Sequence, residues 1–154
     1  MKKVSGAAQA SANHKEHEQR NQEASPESDV SHFPRLGDVD KVLRVNISGT
    51  DIITVYRSEG YNVPELALKV QELIDECGED ARIVIVGDLN FPGDEVNNFT
   101  YVLSRRGFKQ IVKEPTHLGG RCIDHCYVKD PANVQLFLHA VYYSDHTALC
   151  ITLR

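Results

Sequence analysis

Apolar residues are sparse over residues 1–38 and recur in regular patterns from residue 39 onward. The first stretch, rich in Ser, Ala, Gln, Glu, Asn and His, buries too little apolar surface to offset the entropy of ordering a chain. It reads as a disordered polar tail. Beyond it, Val42-Leu43-Arg44-Val45-Asn46-Ile47 alternates, Ser48-Gly49-Thr50-Asp51 marks a turn, and Ile52-Ile53-Thr54-Val55-Tyr56 alternates again, predicting a β-hairpin. Tyr61 to Gly78 carries Leu66, Leu68, Val70, Leu73 and Ile74 among polar residues, with Pro64 near its start, which predicts an amphipathic helix. Ile83 to Val86 is continuously apolar, so this strand expects cover on both faces and a central place in its sheet. After a loop at Phe91-Pro92-Gly93-Asp94, the spacing of Val96, Phe99, Val102 and Leu103 predicts a second helix ending near Gly107. The remainder predicts strands over Phe108 to Val112, Cys122 to Val128, Phe137 to Tyr143 and Thr147 to Leu153.

Composition narrows this picture. A chain of 154 residues, 41% hydrophobic and with a net charge of -5, suits one domain over residues 39–154. The apolar runs are too short to span a membrane, and Met1-Lys2-Lys3 leads into polar residues rather than a signal-peptide core, so an intracellular, non-membrane protein is expected. In that setting the Asn46-Ile47-Ser48 and Asn98-Phe99-Thr100 glycosylation patterns are chance matches, and the four cysteines are reduced thiols. Cys122, His125 and Cys126 lack a further Cys or His pair at finger-like spacing, which argues against a structural zinc site. The acidic balance argues against a broadly basic nucleic-acid surface, and Arg105, Arg106, Lys109 and Lys113, a local patch that could meet phosphates, read first as a solvated helix end.

Candidate chemistry lies where predicted strands leave the core, at Gly87-Asp88-Leu89-Asn90, Ile123-Asp124-His125 and Ser144-Asp145-His146. An Asp two residues before an Asn sets a carboxylate beside an amide, able to orient a water and hold a phosphate oxygen, yet equally able to close a simple turn. Asp145 offers a hard oxygen ligand suited to magnesium, and His146, when protonated, neutralises developing phosphate charge. Asp124 could hold that imidazole in one tautomer. His117 and His125 read as packing or hydrogen-bonding residues. Tyr56, with Arg57 beside it, reads as a strand-end rim residue within reach of a phosphate.

The segments Val55-Tyr56-Arg57, Ile85-Val86-Gly87-Asp88-Leu89-Asn90, Glu114-Pro115-Thr116-His117, Ile123-Asp124-His125 and Tyr143-Ser144-Asp145-His146 resemble, in this order, the later half of the endonuclease/exonuclease/phosphatase superfamily. The wording of Pro-Thr-His and Ile-Asp-His is most similar to endonucleases of mobile elements such as retrotransposons and Helitrons. The resemblance implies an α/β (α+β) fold, a partial four-layer β-sandwich with a mixed sheet and flanking helices. It also implies phosphodiester hydrolysis on nucleic acid with Mg2+ or Mn2+. Asp88 would orient or deprotonate the attacking water, Asn90 and Tyr56 would contact the phosphate, and His146, held by Asp124, would stabilise it. Asp145 would bind the metal.

The family's first half supplies an early Asn and a metal-binding Glu. Neither is found upstream of Val42, where Glu16, Glu18, Glu23 and Glu27 follow no apolar strand. The expectation is therefore a truncated copy holding roughly one sheet of the sandwich. With one carboxylate ligand, magnesium binds weakly, and activity is low or absent unless another chain supplies the Glu. An inner sheet face left open would invite a second copy or a partner chain. A non-catalytic remnant or interaction module of the same fold is the alternative, and lipid or small-molecule phosphates are a third reading.

Overall fold

The computed structural model describes residues 41–154, so the polar tail expected at 1–38 lies outside the described residues. In chain order the elements are β1 (Lys41–Ile47), β2 (Thr50–Tyr56), α1 (Val63–Cys77), β3 (Arg82–Asp88), α2 (Asn98–Arg105), β4 (Lys109–Gln110) and β5 (Asp124–Val128). A 3-10 turn (Pro131–Asn133), β6 (Val134–Ala140) and β7 (Thr147–Leu153) follow. One sheet has the order β1-β2-β3-β5-β4, and β6-β7 is a separate antiparallel pair. The larger sheet is mixed: β2 and β3 run parallel, joined through α1, and the other pairs are antiparallel.

The hairpin forms with a tighter turn than the sequence suggests. Ser48 (φ 50°) and Gly49 (φ 79°) both take positive φ, the geometry of a two-residue hairpin turn. Thr50 and Asp51 therefore open β2, both buried, and the Arg44 Nε donates to Asp51 Oδ1 across the strands at 2.9 Å. In α1 the buried stripe is Leu66, Ala67, Val70 and Ile74, while Leu68 faces outward. The second helix starts at Asn98, capped reciprocally by Asn97 and Thr100, so Val96 precedes it and stands exposed.

Strand β3 is central and covered on both faces, as its apolar run predicts. Ile83 and Ile85 join Ile53, Val55, Phe99, Leu103 and the α1 stripe in one core cluster. On the opposite face Val84 packs with Val112, Cys126 and Val128, covered by Leu136, Leu138, Leu149 and Ile151 of the β6-β7 pair. The described residues thus make three layers, with helices on one face of the larger sheet and a two-stranded ribbon on the other. That ribbon is more of the second sheet than the sequence suggests, yet it stops short of β1. Leu43, Val45 and Ile47, on the face away from the helices, remain 54%, 47% and 54% exposed.

Three strand limits differ from the expected ones. Strand β4 is reduced to Lys109–Gln110, and β5 begins at Asp124 because Cys122 and Ile123 belong to the loop before it. The sixth strand runs over Val134–Ala140 rather than Phe137 to Tyr143, since pairing with β7 ends at Ala140 opposite Thr147. Tyr142 and Tyr143 lie in the connecting loop, where their apolar character buries nothing. No helix among the described residues is long and apolar enough to cross a membrane.

Gly87 allows β2 and β3 to meet beneath Asp88. Its φ is 155°, and a Cβ there would lie 1.7 Å from the Val55 carbonyl oxygen. Gly87→Ala is expected to cost about 3 kcal/mol from backbone strain and displaced strand pairing. A urea midpoint unchanged from the parent protein would contradict this register.

Candidate functional site

The strand register sets Tyr56 opposite Asp88 and Asp88 opposite Asp124, so the three form a row across β2, β3 and β5. Paired residues share a face of the sheet, and this is the face that carries the β6-β7 ribbon. The loop linking β6 to β7 returns over the end of the row. There His146 Nδ1 lies 2.9 Å from Asp124 Oδ2. One ligand atom each from Asp88, Asp124 and His146 fall within 4.8 Å of one another.

Beyond β3 the chain makes a tight turn. Asn90 takes φ 52°, and its backbone N–H donates to Asp88 Oδ1 at 3.1 Å. One hydrogen of its side-chain amide goes to the Arg57 carbonyl at 2.7 Å, leaving the other for a ligand. Arg57 fastens the turn from the other side: its backbone N–H donates to the Asp88 carbonyl at 2.9 Å and its Nη1 to the Leu89 carbonyl at 2.8 Å. Its guanidinium also covers the Phe91 ring at 5.5 Å. Arg57 is buried and holds this turn, a role that its position after a strand-end Tyr does not disclose. Tyr56 itself is half exposed at the rim of the row.

A second turn braces the other carboxylates. The hydroxyl of Thr116, fully buried, accepts the backbone N–H groups of Ile123 (3.1 Å) and Asp124 (3.0 Å), fixing where β5 begins. The Leu118 N–H donates to the Asp145 carbonyl at 2.8 Å, and His117 pairs with His146 as an isolated bridge. His117 Nε2 lies 3.2 Å from Asp145 Oδ2, so this residue stands at the site rather than in packing alone. Thr116 lies in the Glu114-Pro115-Thr116-His117 segment that carries the resemblance, but its bracing role has no periodic or charge signal of its own. His125, by contrast, packs as expected: it is buried between Tyr127 OH (2.9 Å) and the Phe91 carbonyl (3.0 Å). Cys126 lies in the cluster on the opposite face of the sheet, so the strand separates it from His125.

Electrostatics at the row favour a cation. Desolvation first, and the nearby Asp124 charge after the opposing Asn90 N–H, push the Asp88 carboxyl above the usual carboxylate range. The hydrogen bond to Asp124 pushes His146 up, favouring its charged form. The two half-buried carboxylates suit a hard divalent ion, whose charge would relieve the repulsion between Asp88 and Asp124, while the charged His146 ring offers it no lone pair. Asp145 belongs to a second close set with His117 and His146 rather than to the Asp88 and Asp124 set. The five residues Asp88, Asn90, Asp124, Asp145 and His146 thus come to one end of the sheet, with Tyr56 at its margin.

No protein-family model matches this chain, and no curated protein matches it. Solved structures do. The endonuclease domain of TRAS1, a telomere-specific non-LTR retrotransposon, superposes with a TM-score of 0.61 at 13% identity, over 75% of this chain and 62% of that one. CdtB, the biologically active subunit of cytolethal distending toxin, gives 0.52 at 17% identity, over 73% and 51%. The Haemophilus ducreyi cytolethal distending toxin gives 0.52 at 15% identity, over 73% and 52%. The fold is therefore of the endonuclease/exonuclease/phosphatase type, and the chain spans between half and two thirds of the length of these structures.

Two histidines give stability opposite slopes with pH. The folded state holds the His146 proton above the ordinary imidazole value of about 6.5, so its stabilisation is present below that pH and lost as pH rises through the folded pKa. Burial pushes His125 down, so stability falls as pH drops from about 6.5 through its folded pKa. Urea midpoints are expected to peak near pH ~6.5. In His146→Gln the decline above the peak flattens while the acid side stays. An alkaline decline as steep as in the parent would contradict the assignment.

Proposed function

We propose that this protein is a metal-dependent phosphodiester hydrolase acting on nucleic acid, with its site at the end of β3. The observation that carries the reading is the convergence of Asp88, Asp124 and His146 within 4.8 Å, in a fold shared with endonucleases. Asp88, made more basic by its desolvated setting, orients and deprotonates the attacking water. The unused amide hydrogen of Asn90 and the Tyr56 hydroxyl contact the phosphate. His146 donates its Nδ1 proton to Asp124, which fixes the ring and leaves Nε2 to meet the charge that develops on the phosphoryl oxygens. Asp145, beside this row, would hold a Mg2+ or Mn2+ ion. Such an ion, when bound, polarises the phosphoryl group and assists departure of the leaving oxygen.

A second reading, a non-catalytic interaction module, draws on two observations. The chain spans 62% of the TRAS1 domain, and the strip Leu43, Val45 and Ile47, at the β1 edge of the face that carries the ribbon, is left half exposed by the described residues, a surface for a second copy or a partner chain. An aqueous site with few protein ligands holds magnesium weakly. Supercoiled-plasmid nicking separates the readings. On the hydrolase reading, nicking requires Mg2+ or Mn2+ and falls at least about 100-fold in Asp88→Asn, the loss expected for removing a general base. Absence of nicking in the parent protein with either ion would favour the module.

A further inference from the structure

His117 stands beside Asp145 with no part in the reaction described above, yet both of its ring nitrogens are engaged. The Gly119 backbone N–H donates to Nδ1 at 2.9 Å, which makes Nδ1 the unprotonated nitrogen of the neutral ring. The proton then resides on Nε2, 3.2 Å from Asp145 Oδ2, and is donated to that carboxylate. A ring in this tautomer has no lone pair at Nε2 to give a cation. His117 therefore differs from Asp145, whose carboxylate keeps lone pairs for a cation.

Several features hold the ring in place. A Cβ on Gly119 would lie 3.0 Å from Nδ1 and 3.4 Å from Cε1, so even a methyl group there would crowd the imidazole. The turn is closed on itself by the Thr116 and His117 N–H groups, which both donate to the Arg121 carbonyl at 3.0 and 3.1 Å. It is tied to the Asp145 segment by Leu118 N–H to the Asp145 carbonyl (2.8 Å) and Thr147 N–H to the Thr116 carbonyl (2.7 Å). The His117 and His146 rings meet edge to face with centroids 5.1 Å apart. The Asp145 side chain is 65% exposed, and a carboxylate that open rotates unless a hydrogen bond restricts it.

We propose that His117, locked in its Nε2–H tautomer by the Gly119 N–H, is a positioning residue that aims the Asp145 carboxylate at the metal. It donates to the ligand and does not ligate. This inference rests on the hydrolase reading for the ion itself, whereas the tautomer and its bond to Asp145 stand independently of it. Partners of this kind, hydrogen-bonded to a ligating group, set metal affinity by 10- to 100-fold in general.

Two measurements test it. In metal-free protein, 15N NMR of the ring is expected to show Nε2 protonated and Nδ1 bare, with the Nε2 signal moving in Asp145→Ala. Mn2+ titrations followed by electron paramagnetic resonance are expected to show affinity about 10-fold or more weaker in His117→Ala. Most of it returns in His117→Gln, whose amide N–H can reach the position of Nε2. Gly119→Ala, which leaves the donor and crowds the ring, is expected to fall between. An Nδ1-protonated ring, equal Mn2+ affinity in parent and His117→Ala, or a loss in Gln as deep as in Ala would overturn the proposal while leaving metal binding intact. Failure of the parent to bind Mn2+, with the tautomer as described, would overturn the hydrolase reading and the aiming role together.

Discussion

Because Ile83 and Ile85 project toward the helices and Val84 toward the β6-β7 ribbon, β3 cannot slip by one residue against its neighbours without exchanging its two buried faces. That constraint also fixes the last residue of the strand. With Val84 opposite Ile52 on one side and Val128 on the other, Asp88 must fall opposite Tyr56 and Asp124. The carboxylates therefore meet because an apolar strand four residues earlier is clamped on both faces. The repulsion between them is a consequence of packing elsewhere, and His146 or a cation offsets it.

The loops complete what the register begins. Two turns, each held by a buried polar side chain, deliver backbone groups to the row: Arg57 under Asp88 and Asn90, and Thr116 under Asp124. Both side chains satisfy backbone groups that would otherwise be buried unpaired, at a cost of about 1–3 kcal/mol each. Through Leu118 the second turn also carries the β6-β7 loop, so Asp145 and His146 are placed by the ribbon and the sheet together.

Much of this was legible in the sequence, and the exceptions share a physical cause. The run Ile83 to Val86 announces a strand buried on both faces, and Asp88, Asn90 and Asp124 follow apolar segments, whereas grouping them with Asp145 and His146 came from the resemblance rather than from periodicity. Periodicity reports where apolar side chains could be buried, not what arrives to bury them. Leu43, Val45 and Ile47 alternate as a buried face would, and Val96 and Leu68 carry the same signal, but nothing among the described residues covers them fully. The aromatic pair Tyr142 and Tyr143 likewise suggested strand where pairing with β7 had already ended. Arg57, Thr116 and His117 were harder still, because their roles arise from a few hydrogen bonds that no periodic or charge pattern announces.

The proposed function turns on whether the row at the end of β3, joined by the β6-β7 loop, takes up a divalent cation. The direct measurement is anomalous diffraction from crystals of the protein soaked in Mn2+. One anomalous peak is expected within coordination distance of Asp145 and beside the Asp88 and Asp124 carboxylates, with the His117 ring outside the ligand sphere. Crystals with no peak at any of the three carboxylates would contradict it.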